Sequence, residues 1–369
     1  MPKWSDFGNV WTTLRELDAN AIRNEAEHPL AIACVGHNST IDQIDQLMQS
    51  GAERYGPAGS NPIELVPLDQ TNARAGSLAS VDMLIIGVDT RVAITQAEAD
   101  AFSRLEHLAI PFLVVLLYGE RPASGAVTLP RSIMAHTVVI LDPDALQASD
   151  QLATAVWERL PSELHLAAAR RLPGLRATFA RELVRSTAFT NATYALASGL
   201  PEQIPIINVP FAAADIIVLT KNQALMVYRL ALAYGAPPEF QDRIREVLPV
   251  VGGAFLWRQA ARSLVGLIPI WGLVPKVAIA YAGTYTVGVA AWRWYANGEL
   301  VSADQLKRIS QEAIALGQSR AAEIISRARN LRSSKSSPTP ANDQVGLLDR
   351  LKRRLPRRNK PSETTTSTE

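Results

Sequence analysis

The residues best placed for chemistry are Gly36, His37, Asn38, Ser39 and Thr40, which follow the apolar run LAIACV at 30–35 and precede a stretch of helical composition. A turn between a strand and the start of a helix presents backbone N–H groups to an anion, so a phosphate-binding loop would sit here. A working loop of the G-x-x-x-x-G-K-[ST] pattern needs a second glycine for the turn, a lysine for the β- and γ-phosphates and a hydroxyl for magnesium. Counted from Gly36, those three places hold Ile41, Asp42 and Gln43. An aspartate in the lysine's place repels phosphate. Ser39 and Thr40 also suit a plainer role, capping the helix that follows.

Other reactive side chains give no constellation. The single Cys34 excludes an intramolecular disulfide and a multi-cysteine metal cluster, and its place in an apolar run predicts a buried core thiol. His28, His37, His107, His136 and His165 are scattered, with no H-E-x-x-H spacing that would bind a metal. No pair of carboxylates has a spacing suited to acid and base work. The sequence therefore predicts no catalytic residue, no metal site and no bound cofactor.

The elements that would position the turn are legible as apolar runs separated by helical stretches. Runs at 30–35, 63–66, 83–88, 112–117 and 137–141 are short and rich in Val, Ile or Leu; 40–50, 95–108 and 149–160 have helical composition. Continuously apolar strands alternating with helices predict a doubly wound α/β domain, a parallel sheet covered on both faces, over 29–162. Ligands of such sheets bind at the carboxyl ends of the strands. Ahead of it, Trp4, Phe7, Trp11 and Leu14 recur at helical spacing, which predicts an amphipathic docking helix within 1–28. The opening MPKWSDFGNVWTT has no continuous hydrophobic run, so no cleaved secretory leader is expected.

After 162 the texture changes to Ala, Leu and Arg at helical spacing, punctuated at Pro173-Gly174 and at 199–201. The segment FAAADIIVLTKNQALMVYRLALAYGAP at 211–237, and its continuation through VLPVVGGAFLWRQAARSLVGLIPIWGLVPKVAIAYAGTYTVGVAAWRWYANG, resemble the helical domain-of-unknown-function family 697. The order of segments before it resembles a small GTPase domain of the Era and EngA group. That resemblance implies a D-x-x-G for magnesium after the second strand, where this chain has Asp69-Gln70-Thr71-Asn72. It implies a guanine-reading N-K-x-D where Leu117-Tyr118-Gly119-Glu120 stand, and a Ser-Ala element replaced near Leu141-Asp142-Pro143-Asp144. Gly36, Asn38, Ser39, Thr40, Asp69 and Glu120 are thus the surviving positions of a degraded nucleotide site. The family resemblance implies an association with GTPase domains and names no reaction.

The most apolar stretch, 263–294, carries only Lys276 and Arg293 as formal charges. Pro269, Gly272 and Pro275 interrupt it and predict an apolar hairpin at 250–297, with helices near 250–268 and 276–297, inside an all-α domain over 163–330. Two surroundings satisfy such a hairpin. One is a bilayer, contacted by Leu264, Leu267, Trp271, Trp292 and Trp294 with Arg258, Arg262 and Arg293 at the cytoplasmic face. The other is a helical core, with Ala278, Ala282 and Gly283 letting helices approach. Spanning needs about 20 apolar residues. The uncharged part of the second helix, 277–292, has only sixteen. In the first helix Arg258 and Arg262 would each cost about 2.5–3.5 kcal/mol at the bilayer centre.

Net charge is +2 overall, and nine basic against four acidic residues over 331–369 give that tail +5, leaving 2 − 5 = −3 on the rest. The tail is expected to be disordered, and Leu347, Leu351 and Leu355 line one helical face beside Arg353, Arg354, Arg357 and Arg358. Anionic headgroups attract such segments by about 1 kcal/mol per basic residue. A basic excess confined to the tail argues against a nucleic-acid partner for the folded part. The sequence thus predicts a non-catalytic, GTPase-like scaffold or regulator on the cytoplasmic face of a membrane, with lipids as partner and a protein partner or homo-oligomer as a further option. Two other readings remain. One is a divergent nucleotide hydrolase, with GTP on 36–40 and Asp69 on magnesium. The other is a soluble interaction protein.

Overall fold

The computed structural model describes residues 19–51, 54–118, 138–198, 213–243 and 273–335, with the backbone alone at 138–141, 198, 213–217, 273–276, 303 and 322–335. Each apolar run becomes a strand: β1 Ile32–Gly36, β2 Ile63–Pro67, β3 Met83–Asp89, β4 Phe112–Leu117 and β5 Val138–Leu141. They form one sheet in the order β2-β1-β3-β4-β5, and all four pairings are parallel. Helices α1 Asn20–Glu27, α2 Asn38–Gln49, α3 Ala75–Leu78, α4 Gln96–Glu106 and α5 Ala148–Arg159 accompany the strands.

Burial on both faces explains why the strands read as unbroken apolar runs. On β1, Ile32 and Cys34 enter one buried cluster while Ala33 and Val35 enter another; β3 divides the same way between Met83, Ile85 and Leu84, Ile86, Val88. The first face is covered by Ile41, Ile44 and Met48 of α2 with Leu152, Ala153 and Val156 of α5. The second is covered by Leu78 of α3 and by Ala101, Phe102 and Leu105 of α4. Each such aliphatic side chain contributes roughly 1.5–3 kcal/mol on leaving water.

Gly36 has a packing reason. A Cβ there would lie 2.5 Å from the Gly87 carbonyl oxygen, and one on Gly87 would lie 2.6 Å from Ile44 Cδ1 and 2.9 Å from Thr40 Cγ2. The two glycines let β1 and β3 meet at their carboxyl ends and let the start of α2 sit directly on the sheet.

Beyond the sheet come α6 His165–Arg171, α7 Arg176–Ser198, α8 Ala213–Ala233, α9 Leu273–Asn297 and α10 Ala303–Lys335. The last passes the point near 330 where the sequence predicts a tail to begin. Contacts divide the chain into two units, Met1–Ala321 and Ala322–Glu369, the second described only as the final turns of α10. Within the first unit, the sheet face under α2 and α5 shares one cluster with Leu166, Leu175, Phe179, Tyr228, Leu230 and Tyr295 of the helical part. Residue 162 therefore marks a change of secondary structure and not a break in packing. Ile22 and Ala26 of α1 join the same cluster; Trp4, Phe7, Trp11 and Leu14, on which the expected docking helix rests, lie outside the described residues.

Two arginines tie the seam. Arg176, 1% exposed, donates from Nη2 to the Gly56 carbonyl at 2.5 Å and from Nε to that of Ala169 at 3.3 Å. Arg170 Nη1 donates to the carbonyls of Leu232 and Ala236, placing a cation at the C-terminal end of α8, where the helix dipole favours one. Burial pulls the Arg170 guanidinium below its ordinary pKa.

The second half of the predicted apolar hairpin is α9, which begins three residues before Lys276 with Pro275 in its first turn, where proline is tolerated. From Val277 to Ala296 it has no exposed residue. Ala278 and Ala282 pack with Ala313 and Ile314 of α10, and a Cβ on Gly317 would lie 2.8 Å from the Ala278 carbonyl oxygen. Inside the bundle, Asn191 Nδ2 donates to Thr284 Oγ1 at 2.9 Å, Gln223 Nε2 to the same oxygen at 3.1 Å, and Asn222 Nδ2 to Asn191 Oδ1 at 2.7 Å. The first half of the hairpin, 250–268, lies outside the described residues.

The joint between sheet and bundle is tightest at Gly174, where a Cβ would lie 2.6 Å and 2.8 Å from the carbonyl oxygens of Leu47 and Met48. Backbone on both sides cannot give way easily. Gly174→Ala is expected to lower the unfolding free energy by about 1–3 kcal/mol in a denaturant titration, the range for overpacking. An unchanged midpoint would show that the joint is looser.

Candidate functional site

The chain leaves β1 for β2 on one side and then crosses to β3 on the other, so the strand order reverses between β1 and β3. The crevice outside the carboxyl ends of such a pair is where open parallel sheets bind ligands. Here it is lined by His37, Leu68, Gly87, Val88, Asp89, Ile94, Glu98 and Phe102. Among the described residues the cavity measures about 10 Å³, room for one water.

Its polar groups are bound to one another. Glu98, in the first turn of α4, accepts from Thr95 N at 2.7 Å and Thr95 Oγ1 at 2.9 Å through Oε2, and its other oxygen meets His37 Nε2 at 2.8 Å. Thr95 Oγ1 in turn accepts from Glu98 N, completing a capping box. Burial alone would raise the Glu98 pKa, but the bonds from Thr95 and His37 hold it below the ordinary range.

Asp89, 7% exposed, ends β3 and needs a cation, since an unpaired buried carboxylate is costly. Arg91 supplies it, with Nε at 3.1 Å from Oδ1 and Nη2 at 2.8 Å from Oδ2, while the Arg91 backbone N–H donates to Oδ1 at 2.9 Å. Those bonds hold the Asp89 carboxyl below its usual value. The guanidinium carbon lies 3.2 Å from the centre of the Tyr118 ring, and Tyr118 Oη accepts from Gln43 Nε2 at 2.6 Å. Tyr118 has φ 65°, a left-handed conformation that a tyrosine rarely adopts. Thr90 fixes the neighbouring strand end by donating from Oγ1 to the Leu117 carbonyl at 2.9 Å.

The sequence-predicted positions are only partly brought together. Asn38 and Ser39 are exposed at the start of α2, and Asp69 is exposed on the 3-10 turn Leu68–Gln70 after β2; none of them lines the crevice. The capping role predicted for Ser39 and Thr40 is corrected. The helix begins at Asn38 with His37 in the cap position and no side-chain cap bond, which puts both residues inside the first turn. Thr40 packs its methyl on Gly87, and its hydroxyl has no partner among the described residues. Glu120, Leu264, Leu267, Trp271, Arg353, Arg354, Arg357 and Arg358 lie outside the described residues. Trp292 donates from Nε1 to Tyr234 Oη at 2.5 Å, and Trp294 carries Arg54 over its ring at 4.2 Å while its carbonyl accepts from Arg54 Nη1 at 2.7 Å. Both rings thus have protein partners.

Among the described residues no helix is long and apolar enough to cross a membrane, and no group of three His, Cys, Asp or Glu side chains is placed to hold a metal ion. Cys34 is fully buried on β1, and burial pushes its thiol pKa up, which makes it a poor nucleophile. A scan against protein-family models gives no match, and comparison with curated proteins gives none either.

Asp89, Arg91 and Glu98 were not singled out in the sequence, and Tyr118 was named only as a replaced position, although T-x-x-E at Thr95–Glu98 is a readable capping-box signature. The acid dependence of stability should report their pairing. Both carboxyls have folded pKa values below their unfolded ones, so their contribution is complete at neutral pH and is lost as pH falls below about 4. Denaturant midpoints measured from pH 7 to 3 are expected to fall more steeply for the parent than for Glu98→Gln. Parallel curves would show that Glu98 is not held by His37 and Thr95.

Proposed function

We propose that the chain is a non-catalytic, GTPase-like scaffold or regulator that meets the cytoplasmic face of a membrane. The observation that carries this reading is the crevice at the strand-order reversal, whose two carboxylates are bonded to Arg91 and to His37 and Thr95 around a space for a single water. Two degraded positions even bond to each other: Gln43, in the place of the magnesium-binding hydroxyl, donates to Tyr118, in the place of the guanine-reading lysine. Asp42, in the place of the phosphate lysine, is exposed on α2 and adds negative charge where a triphosphate would need positive. The order of strands and helices, with an acid at Asp69 after β2, supports the GTPase-like ancestry, and the residues quoted from 211–298 support the link to the 697 family.

Membrane contact is assigned to Leu264, Leu267 and Trp271 and to the basic tail with Arg353, Arg354, Arg357 and Arg358. Helix α9 has protein on its described faces and is left out of that set. Four basic side chains near an anionic surface contribute about 1 kcal/mol each, enough for peripheral binding when joined to an apolar anchor.

Calorimetric titration of the full chain with GTP and magnesium is expected to give no saturable heat up to millimolar nucleotide. Micromolar affinity with slow hydrolysis would replace this reading with that of a divergent nucleotide hydrolase. Flotation with vesicles containing phosphatidylserine should carry the full chain upward and leave a chain truncated at 345 largely behind. Full-length protein that stays in the bottom fraction would remove the membrane from the reading and leave a soluble interaction protein.

A further inference from the structure

The seat of Arg91 has the form of a closed lock. Its guanidinium is gripped on one edge by Asp89 through two parallel N–H···O contacts and covered on one face by the Tyr118 ring. Four segments meet there: Gln43 from α2, Asp89 from the end of β3, Arg91 from the loop after it, and Tyr118 from the end of β4. The Arg91 side chain is nevertheless 59% exposed, so a solute can reach it. Tyr118 is the non-glycine residue with positive φ among the described ones. Strained conformations of this kind persist where the surroundings over-determine them, and they cluster at ligand clamps and switches. Here the surroundings are the Gln43 amide on the hydroxyl and Arg91 on the ring.

The fork by which a guanidinium takes a carboxylate is the fork by which it takes a phosphate. Asp89 is two residues away and always present, so an external phosphate competes with an internal ligand at high effective concentration. We propose that the clamp of Arg91 by Asp89 and Tyr118 is an autoinhibitory contact, and that freeing Arg91 from Asp89 turns the carboxyl edge of the sheet into a site for a phosphate chain. The proposal rests on the reading above, in which the parent crevice is closed to nucleotide. Two negative charges would face a phosphate there, exposed Asp42 on α2 and the Glu98 carboxylate beside His37, and both act on the parent and its variants alike.

The test is calorimetry with inorganic triphosphate, without metal and at low salt, on the full chain and its variants. Asp89→Asn keeps the shape of the side chain and removes its charge. It is expected to bind triphosphate about tenfold or more tighter than the parent, and Asp89→Asn combined with Arg91→Ala should return to the parent value. Asp89→Asn binding no tighter than the parent, or a gain that survives the loss of Arg91, would overturn the proposal. Should Asp89→Asn not fold, Tyr118→Gly serves instead, since glycine accepts the left-handed backbone and removes the ring. In that variant backbone amide exchange over 89–92 should quicken by about tenfold or more while that of α7 and α9 stays unchanged; unaltered exchange over 89–92 would overturn the proposal. Parent protein that itself bound GTP with magnesium would sink the closed-crevice reading instead, a result distinct from either of these.

Discussion

A buried carboxylate must find a cation, and the carboxyl edge of this sheet is arranged around meeting that need at Asp89. The residue ends a fully buried strand, so its charge sits where water cannot solvate it well. Arg91 turns back onto it, Tyr118 takes a left-handed backbone and covers the guanidinium, and Gln43 reaches across from α2 to hold the tyrosine hydroxyl. Beside this chain, His37 and Glu98 close the other side of the crevice. In a nucleotide-binding sheet these strand ends would instead leave N–H groups and cations for a ligand. Here the side chains at those ends bond to one another.

The same principle, internal satisfaction, governs the helical part. Helix α9 is apolar enough to suggest a bilayer, yet α7 and α8 pack along it and Ala313, Ile314 and Gly317 of α10 meet it near Ala278. Small residues make that approach feasible: Gly288 faces Val184 and Met226, where a Cβ would lie 2.7 Å and 3.1 Å away, and Gly317 faces the backbone of Ala278. Two polar groups of α9 are answered within the bundle, Thr284 by Asn191 and Gln223, and Trp292 by Tyr234. A helix on lipid would turn side chains outward along one face. Between Val277 and Ala296 none is exposed.

Much of the fold was legible because two-sided burial leaves a plain mark. Phe112–Leu117 reads as an apolar run and is a strand over those same residues, and Met83–Asp89 extends its run by one, to the aspartate that matters most. That one residue shows the limit of pattern reading. An acid after MLIIGV looks like the end of a strand, and the ring that covers its partner Arg91 comes from far along the chain. Tyr118 reaches Arg91 because the β3–β4 register sets Asp89 opposite Leu117, and His37 meets Glu98 across 61 positions. Gly36 has a further reason that pattern reading does not show: its position suggests a phosphate cradle, and the space around it shows a close approach to Gly87. Trp292 and Trp294, read as a membrane belt, illustrate the same gap, since hydropathy cannot tell a lipid from Tyr234 or from Arg54 lying on the ring.

The most direct measurement is a crystal structure of the full chain grown with millimolar GTP and magnesium. Arg91 still forked onto Asp89 beneath Tyr118, with no nucleotide density between β1 and β3, is the expected result. A triphosphate seated over Gly36 to Thr40 with a metal ion beside Asp69 would contradict it.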